Sequence, residues 1–157
     1  YRELAGMRFL SINQVWAIHI FVAERSVLEA QADPSIEAIP ARWHSRGAVE
    51  SALDRCRHPL HEPNADLATR AAVLVRGINK EHAFENGNKR TAYLTMQVFL
   101  ALNGHMVQAT DNEIRDAMVA TAGQQGILEE GWDLASIANW IRGHLRKLDE
   151  ETTQGVA

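Results

Sequence analysis

Residues 82–103 read His82-Ala83-Phe84-Glu85-Asn86-Gly87-Asn88-Lys89-Arg90-Thr91-Ala92-Tyr93-Leu94-Thr95-Met96-Gln97-Val98-Phe99-Leu100-Ala101-Leu102-Asn103. The opening residues crowd polar and charged groups around a single glycine. From Lys89 to Asn103 the run turns apolar, with Ala92, Leu94, Met96, Val98, Phe99, Leu100 and Leu102 falling on nearly every side of a helix. A helix that is hydrophobic all round belongs in the middle of a domain. The stretch therefore predicts a central buried helix that opens directly from a polar loop, with Gly104 ending it in the usual C-terminal position.

The flanking sequence is helical too. Before the loop, Asn64 or Asp66 can cap a helix whose Leu67, Ala71, Leu74, Val75 and Ile78 make a core-facing stripe. Ala48, Val49, Ala52 and Leu53 predict a short helix ending before Pro59. Ser11 with Gln14 is a capping-box pattern for a first helix through Val15, Ile18 and Val22, its apolar face widened by Trp16 and Phe21. From Ser26 to about Arg46 the pattern weakens and is broken by Pro34 and Pro40. A loop of that length inside a compact domain is either mobile or functional. After the central helix, Thr110 with Glu113 is a second capping box, for a helix through Ile114, Met118 and Val119. Asp133 can cap a last helix whose buried face is Leu134, Ile137, Ala138, Ile141 and Leu145. Strand signals are scarce apart from the loop near Ile36 to Trp43. The expectation is one all-α domain over residues 1–157, a bundle of about six helices by this periodicity. Tyr1 to Gly6 read as an extension ahead of Met7, a candidate start.

The chemistry concentrates in His82 to Arg90. Gly87 lets the backbone turn tightly and come close to a ligand. Asn88, Lys89 and Arg90 then stand at a helix N-terminus, where free N–H groups and the helix dipole favour an anion. Lys89 and Arg90 add two full positive charges there, so the combination is a phosphate site on physical grounds. It is not a Walker A loop, because G-x-x-x-x-G-K-[ST] is absent. His82, just upstream, is of the residue type most often used for proton transfer. Phe84 has no polar task and would pin the loop to the core.

This loop resembles the Fic signature H-x-F-x-[D/E]-G-N-[G/K]-R and is most similar to the Doc (death-on-curing) branch, where Lys replaces the second motif glycine and Lys-Arg-Thr-Ala follows, here Lys89-Arg90-Thr91-Ala92. The upstream run Arg46-Gly47-Ala48-Val49-Glu50-Ser51-Ala52-Leu53 is similar to a Gly-x-x-Glu-Ser-Ala-Leu stretch of Doc-like proteins, so the resemblance spans roughly Phe9 to Leu145. It implies an all-helical enzyme using ATP and Mg²⁺, with His82 as general base. Phe84 would anchor the loop. Gly87, Asn88 and the backbone at Lys89 would cradle phosphates, and Lys89 and Arg90 would stabilise the charge that develops on them. A segment ahead of the motif, around Arg42 to Gly47, would guide the target.

Two departures refine that expectation. Where the family has an acid that holds Mg²⁺ the chain has Asn86, with the acid displaced to Glu85, so these two are the candidate metal ligands. Mg²⁺ prefers charged oxygen ligands, and the change points to a weakened or metal-tolerant enzyme. AMP-transferring members carry a second Arg three residues beyond the motif Arg, and here that position is Tyr93. With Lys89, this matches Doc, which implies that the γ-phosphate of ATP moves to a threonine of elongation factor Tu and arrests translation. The alternatives are an AMP-transferring Fic enzyme and a catalytically degenerate Fic-fold binding module. Many Fic proteins restrain themselves with an internal [S/T]-x-x-x-E-[G/N] helix. No Ser or Thr here has Glu four residues on, which implies a separate antitoxin partner for a toxin of this kind.

Composition bounds the rest. With 46% hydrophobic and 23% charged residues the chain is an ordinary globular protein. A net charge of -4 and a pI near 6.0 argue against specific nucleic-acid binding, and Arg42, Arg46, Arg55 and Arg57 read as solvated surface. The single cysteine, Cys56, forms no internal disulfide and is expected to be inert. His58-x-x-His61 beside Glu62 lacks the three or four ligands of a zinc site and is not H-E-x-x-H. With no membrane span and no signal-peptide layout, the expected location is the cytoplasm.

Overall fold

Each helix of the computed structural model, which describes residues 6–59, 64–123 and 131–148, starts where a short polar side chain satisfies an orphan backbone N–H. Ser11 and Gln14 close a capping box at the head of α1, Ile12–Ala32. Ser45 caps α2, Arg46–Arg57, and Asp66 caps α3, Leu67–Asn79. Thr110 and Glu113 form the second capping box at α5, Asp111–Ala122, and Asp133 caps α6, Leu134–His144. Such caps contribute on the order of 1 kcal/mol each. The exception is α4, Asn88–Leu102, which follows Gly87 and has no side-chain cap. The six-helix, all-α architecture is as expected from the sequence.

The centre of the bundle is shared by α3 and α4. Ten of the 13 residues of α3 are buried, and it packs against α2, α4 and α6. Where α2 crosses, a Cβ at Gly77 would stand 2.4 Å from the Cβ of Ala52, so the missing side chain is what allows the close approach. α4 buries Thr91, Ala92, Thr95, Met96, Phe99 and Leu100 against α3 and leaves Val98 and Leu102 partly exposed. Full burial of a Phe or Leu contributes about 1.5–3 kcal/mol, so Phe84, Phe99, Leu74 and Leu100, all within 1% of complete burial, dominate the core. Arg70, 1% exposed, is also inside. It donates to the carbonyls of Cys56 and Arg57 at the end of α2 and to that of Ala65, placing a cation on the negative end of a helix dipole. Arg142 of α6 braces the same N-terminal end of α3, and its hydrogen bonds hold the Asp66 carboxyl down at about 2.

Two expectations are corrected. The irregular stretch expected from Ser26 is helical as far as Ala32, and the loop is confined to 33–45. Ser26 stays in the helix by donating its hydroxyl back to the Ala23 carbonyl at 2.6 Å, while Val27 and Leu28 point to solvent and hide the period that marks a core face. Second, Leu145 does not belong to α6. It opens β2, Leu145–Lys147, antiparallel to β1, His105–Val107, with Val107 opposite Leu145. These short strands escape the sequence reading because three residues carry no readable alternation. The Gln97 side chain fixes β1 instead, bonding both the N–H and the carbonyl of Val107.

No helix among the described residues is long and apolar enough to cross a membrane. Cys56 is buried, and that burial pushes its thiol up to about 12, which leaves it unreactive.

Candidate active site

The polar loop turns out of α3 and into α4 within a few residues, and two unusual backbone conformations make the turn. His82 has φ +49 and Gly87 φ +77, both in the left-handed region. Gly87 serves as the N-cap of α4, and its carbonyl accepts from Thr91 N–H at 3.0 Å. A Cβ there would meet the Ile39 side chain at 2.5 Å. Both the dihedral and the space therefore call for glycine.

Beneath this turn the loop is heavily tied down. Phe84 is fully buried. Its ring is stacked on His19 of α1 at 3.7 Å between centroids and on Trp43 at 4.7 Å, and Trp16 stacks on Trp43 in turn. Phe84 thus fastens the loop to α1 and to Trp43 by burial and stacking. The Asn88 side chain accepts from Phe84 N–H and donates to the Phe84 carbonyl, both at 2.9 Å. Asn88 was expected to cradle phosphate. Its amide is engaged on the loop itself, so what it can present to a ligand is its backbone N–H. Residues 42–45 run alongside, with Ala83 O accepting from His44 and Ser45 N–H and Arg42 O accepting from Glu85 N–H. Trp43 and Phe84 form an antiparallel bridge. The segment expected to guide a target thus lies against the motif.

The outer side is open. A cleft of about 250 Å³ is lined by Gly87, Asn88, Lys89 and Arg90 on one wall and by Ser26, Ile36, Glu37 and Ile39 on the other. The first N–H groups of α4 have no intrahelical partner, and the positive end of its dipole lies there. Lys89 is exposed. Arg90 pairs with Glu29 of α1 at 2.9 Å, a contact that a phosphate would have to replace. Arg90 also borders a second groove, about 190 Å³, between α1 and α4, with Phe21, Arg25, Tyr93 and Leu94. His82 is partly buried at the start of the loop.

The candidate metal ligands are less well placed. Asn86 and Glu85 are both exposed, and the Glu85 carboxylate lies 4.0 Å from the Arg42 guanidinium. Among the described residues no three His, Cys, Asp or Glu side chains gather as a metal site. His61 and Glu62 lie outside those residues, and His58 is exposed at the end of α2.

Several functional neighbours escaped the sequence reading. His19 had a usable signal, because it falls between Val15 and Val22 on the buried face of α1, where a polar side chain is out of place. Glu29 and Trp43 had none, since their partners are distant in the chain.

The model of the Fic/DOC family matches residues 9–100, from the start of the described fold through α1, α2, α3 and the loop to Leu100 in α4. No curated protein matches the chain.

Proposed function

The chain belongs to the Fic/DOC family, in general a family of transferases, and from that premise we propose that it is a Doc-like toxin. In this reading it is a protein kinase that moves the γ-phosphate of ATP to a threonine hydroxyl of a translation factor, elongation factor Tu by resemblance, and so arrests translation. One observation carries the reading. The left-handed turn at Gly87 delivers the uncapped N-terminus of α4, with Lys89 and Arg90, to the wall of a cleft, and His82 opens the same loop. Helix dipole, unpaired N–H groups and two cations at one place suit the phosphates of a nucleotide.

In the reaction, His82 takes the proton of the target hydroxyl as its oxygen bonds to the γ-phosphorus. The bond from that phosphorus to the β–γ bridging oxygen breaks, and ADP leaves with its charge held by Lys89, Arg90 and the α4 N-terminus. Catalysis of this type is mostly positioning and electrostatics. Lys89 supports the direction of transfer, because it puts bulk where AMP-transferring members keep a glycine. Tyr93 supports it too. Its hydroxyl accepts from Gln97 at 3.0 Å, and no arginine stands there to hold a terminal phosphate. Mg²⁺ fits this loop poorly, because Asn86 offers only a neutral amide oxygen and Glu85 sits beside Arg42.

Labelled ATP tests the reading. Label from the γ position, and an added mass of about 80 Da for one phosphoryl group, is the expected result with a bacterial lysate or the purified factor. Label from the α position would mean AMP transfer. No label from either, with the protein still binding a partner, would mean the degenerate module.

We propose also that a separate antitoxin restrains the toxin. Support comes from the exposed Phe21 and Leu28 on α1, with Phe21 beside the groove that Arg90 borders, a surface suited to an amphipathic helix. Growth arrest should be relieved by co-expressing the neighbouring gene product, and no longer relieved for Phe21→Asp.

A further inference from the structure

His19 of α1 is buried beneath the loop, where it contacts Phe84 and the first turn of α4 and passes close to Gly87. Its ring stacks on Phe84 at 3.7 Å with an 11° tilt. Its Nδ1 lies 3.0 Å from Thr91 Oγ1 in the first turn of α4. Its Cε1 would be 3.8 Å from a Cβ at Gly87. Loop anchor and first helical turn thus bear on one imidazole.

This is an awkward residue to use as filler. His19 is completely buried, and its Nε2 has no hydrogen-bond partner among the described residues. Whichever tautomer is present, that ring nitrogen is orphaned, and a buried polar atom without a partner is a standing penalty. Phenylalanine would stack on Phe84 equally well and remove it. What phenylalanine cannot do is bond Thr91. Direct anion binding is no explanation either, because burial drives the His19 pKa down to about 4 and the ring is neutral at physiological pH.

We propose that His19 is a positioning residue for the candidate active site. Its bond to Thr91, together with its stack on Phe84, locks the first turn of α4 to the loop and so aims the N–H groups of residues 88–90 at the bound phosphate. The phosphate part rests on the function proposed above. The locking part does not.

The test compares His19→Phe, His19→Asn and Thr91→Val in the full chain. Three measurements are needed: thermal midpoint, amide hydrogen exchange in the free protein at Thr91 to Leu94, and ATP affinity by calorimetry. His19→Phe should hold or raise the midpoint while exchange at those amides speeds up about tenfold, the scale of one lost hydrogen bond. ATP affinity should weaken by a similar factor. Thr91→Val should do the same, and the double variant should add little to either single one. His19→Asn, which keeps a polar atom near the Nδ1 position, should recover part of the protection at Thr91 despite losing the ring. Unchanged exchange in both His19→Phe and Thr91→Val overturns the inference. So does a loss of protection spread evenly over all helices, which would show a purely structural role. Should His19→Phe fail to fold, Thr91→Val alone decides, since it replaces only a hydroxyl by a methyl group. A wild-type protein that binds no ATP would defeat the nucleotide reading, and the exchange comparison would still decide the role of His19.

Discussion

The loop 82–90 has an inner and an outer half, and the two are built on different principles. The inner half comprises Ala83, Phe84, the Asn88 side chain and the turn at Gly87. It is buried or hydrogen-bonded at nearly every atom, through the His19–Phe84–Trp43 stack and the paired bonds of Asn88 to Phe84. The outer half comprises His82, Glu85, Asn86, Lys89 and Arg90. It is exposed except at His82, which is partly buried, and it carries two surface ion pairs, Arg90–Glu29 and Arg42–Glu85. Surface pairs of this sort contribute about 0–1 kcal/mol. The difference teaches that the site is rigid from below and free above. Geometry is stored in the core, while the reactive groups stay exposed to a ligand.

That contrast can be broken most forcefully at Phe84. Phe84→Ala removes a fully buried ring with two stacking partners and should lower unfolding free energy by about 3–5 kcal/mol, read by urea denaturation. A change under about 1 kcal/mol would mean that the inner half is not the anchor.

Acid acts next. His19 is neutral and buried with its pKa lowered from 6.5 to about 4. As pH falls below 6.5 the unfolded chain takes up the proton first, so stability is full above 6.5 and drains away between 6.5 and 4. The loss should approach about 3 kcal/mol at the lower end. His19→Phe should flatten that part of the profile, and an equally steep fall in the variant would remove His19 as its source.

Smaller again is Asn88→Ala, which leaves Phe84 N–H and C=O without their side-chain partner. A stability loss of about 2 kcal/mol is expected.

The outer half should give the smallest effect of all on stability. His82→Asn retains a residue tolerant of positive φ and should shift unfolding free energy by no more than about 0.5 kcal/mol. Its transfer activity should nonetheless drop about 10²- to 10⁴-fold. If His82→Asn destabilised the protein as much as Asn88→Ala does, the division into two halves would fail.

Much of this fold was legible along the chain. The caps at Ser11, Asp66, Thr110 and Asp133 stand where they were read, because an N-cap is a contact between residues three apart and carries its own signal. The extension of α1 to Ala32 was not legible, since Val27 and Leu28 face solvent and periodicity reports burial rather than helicity. The β1–β2 pair was hidden for another reason. It joins His105 to Lys147 across α5 and α6, and a three-residue strand has no local pattern to read.

The site divides in the same way. From the sequence alone come the motif residues His82 to Arg90, their order before a helix, and the phosphate chemistry that follows from a glycine turn and two cations at a helix N-terminus. These are contacts between near neighbours in the chain, for which residue type and spacing suffice. Only the tertiary structure decides that the Asn88 amide faces the loop, that Arg90 is held by Glu29, and that His19 braces Phe84 and Thr91. Each of the last two joins residues more than 60 positions apart, and such contacts depend on how α1 packs on α4, which no local pattern encodes.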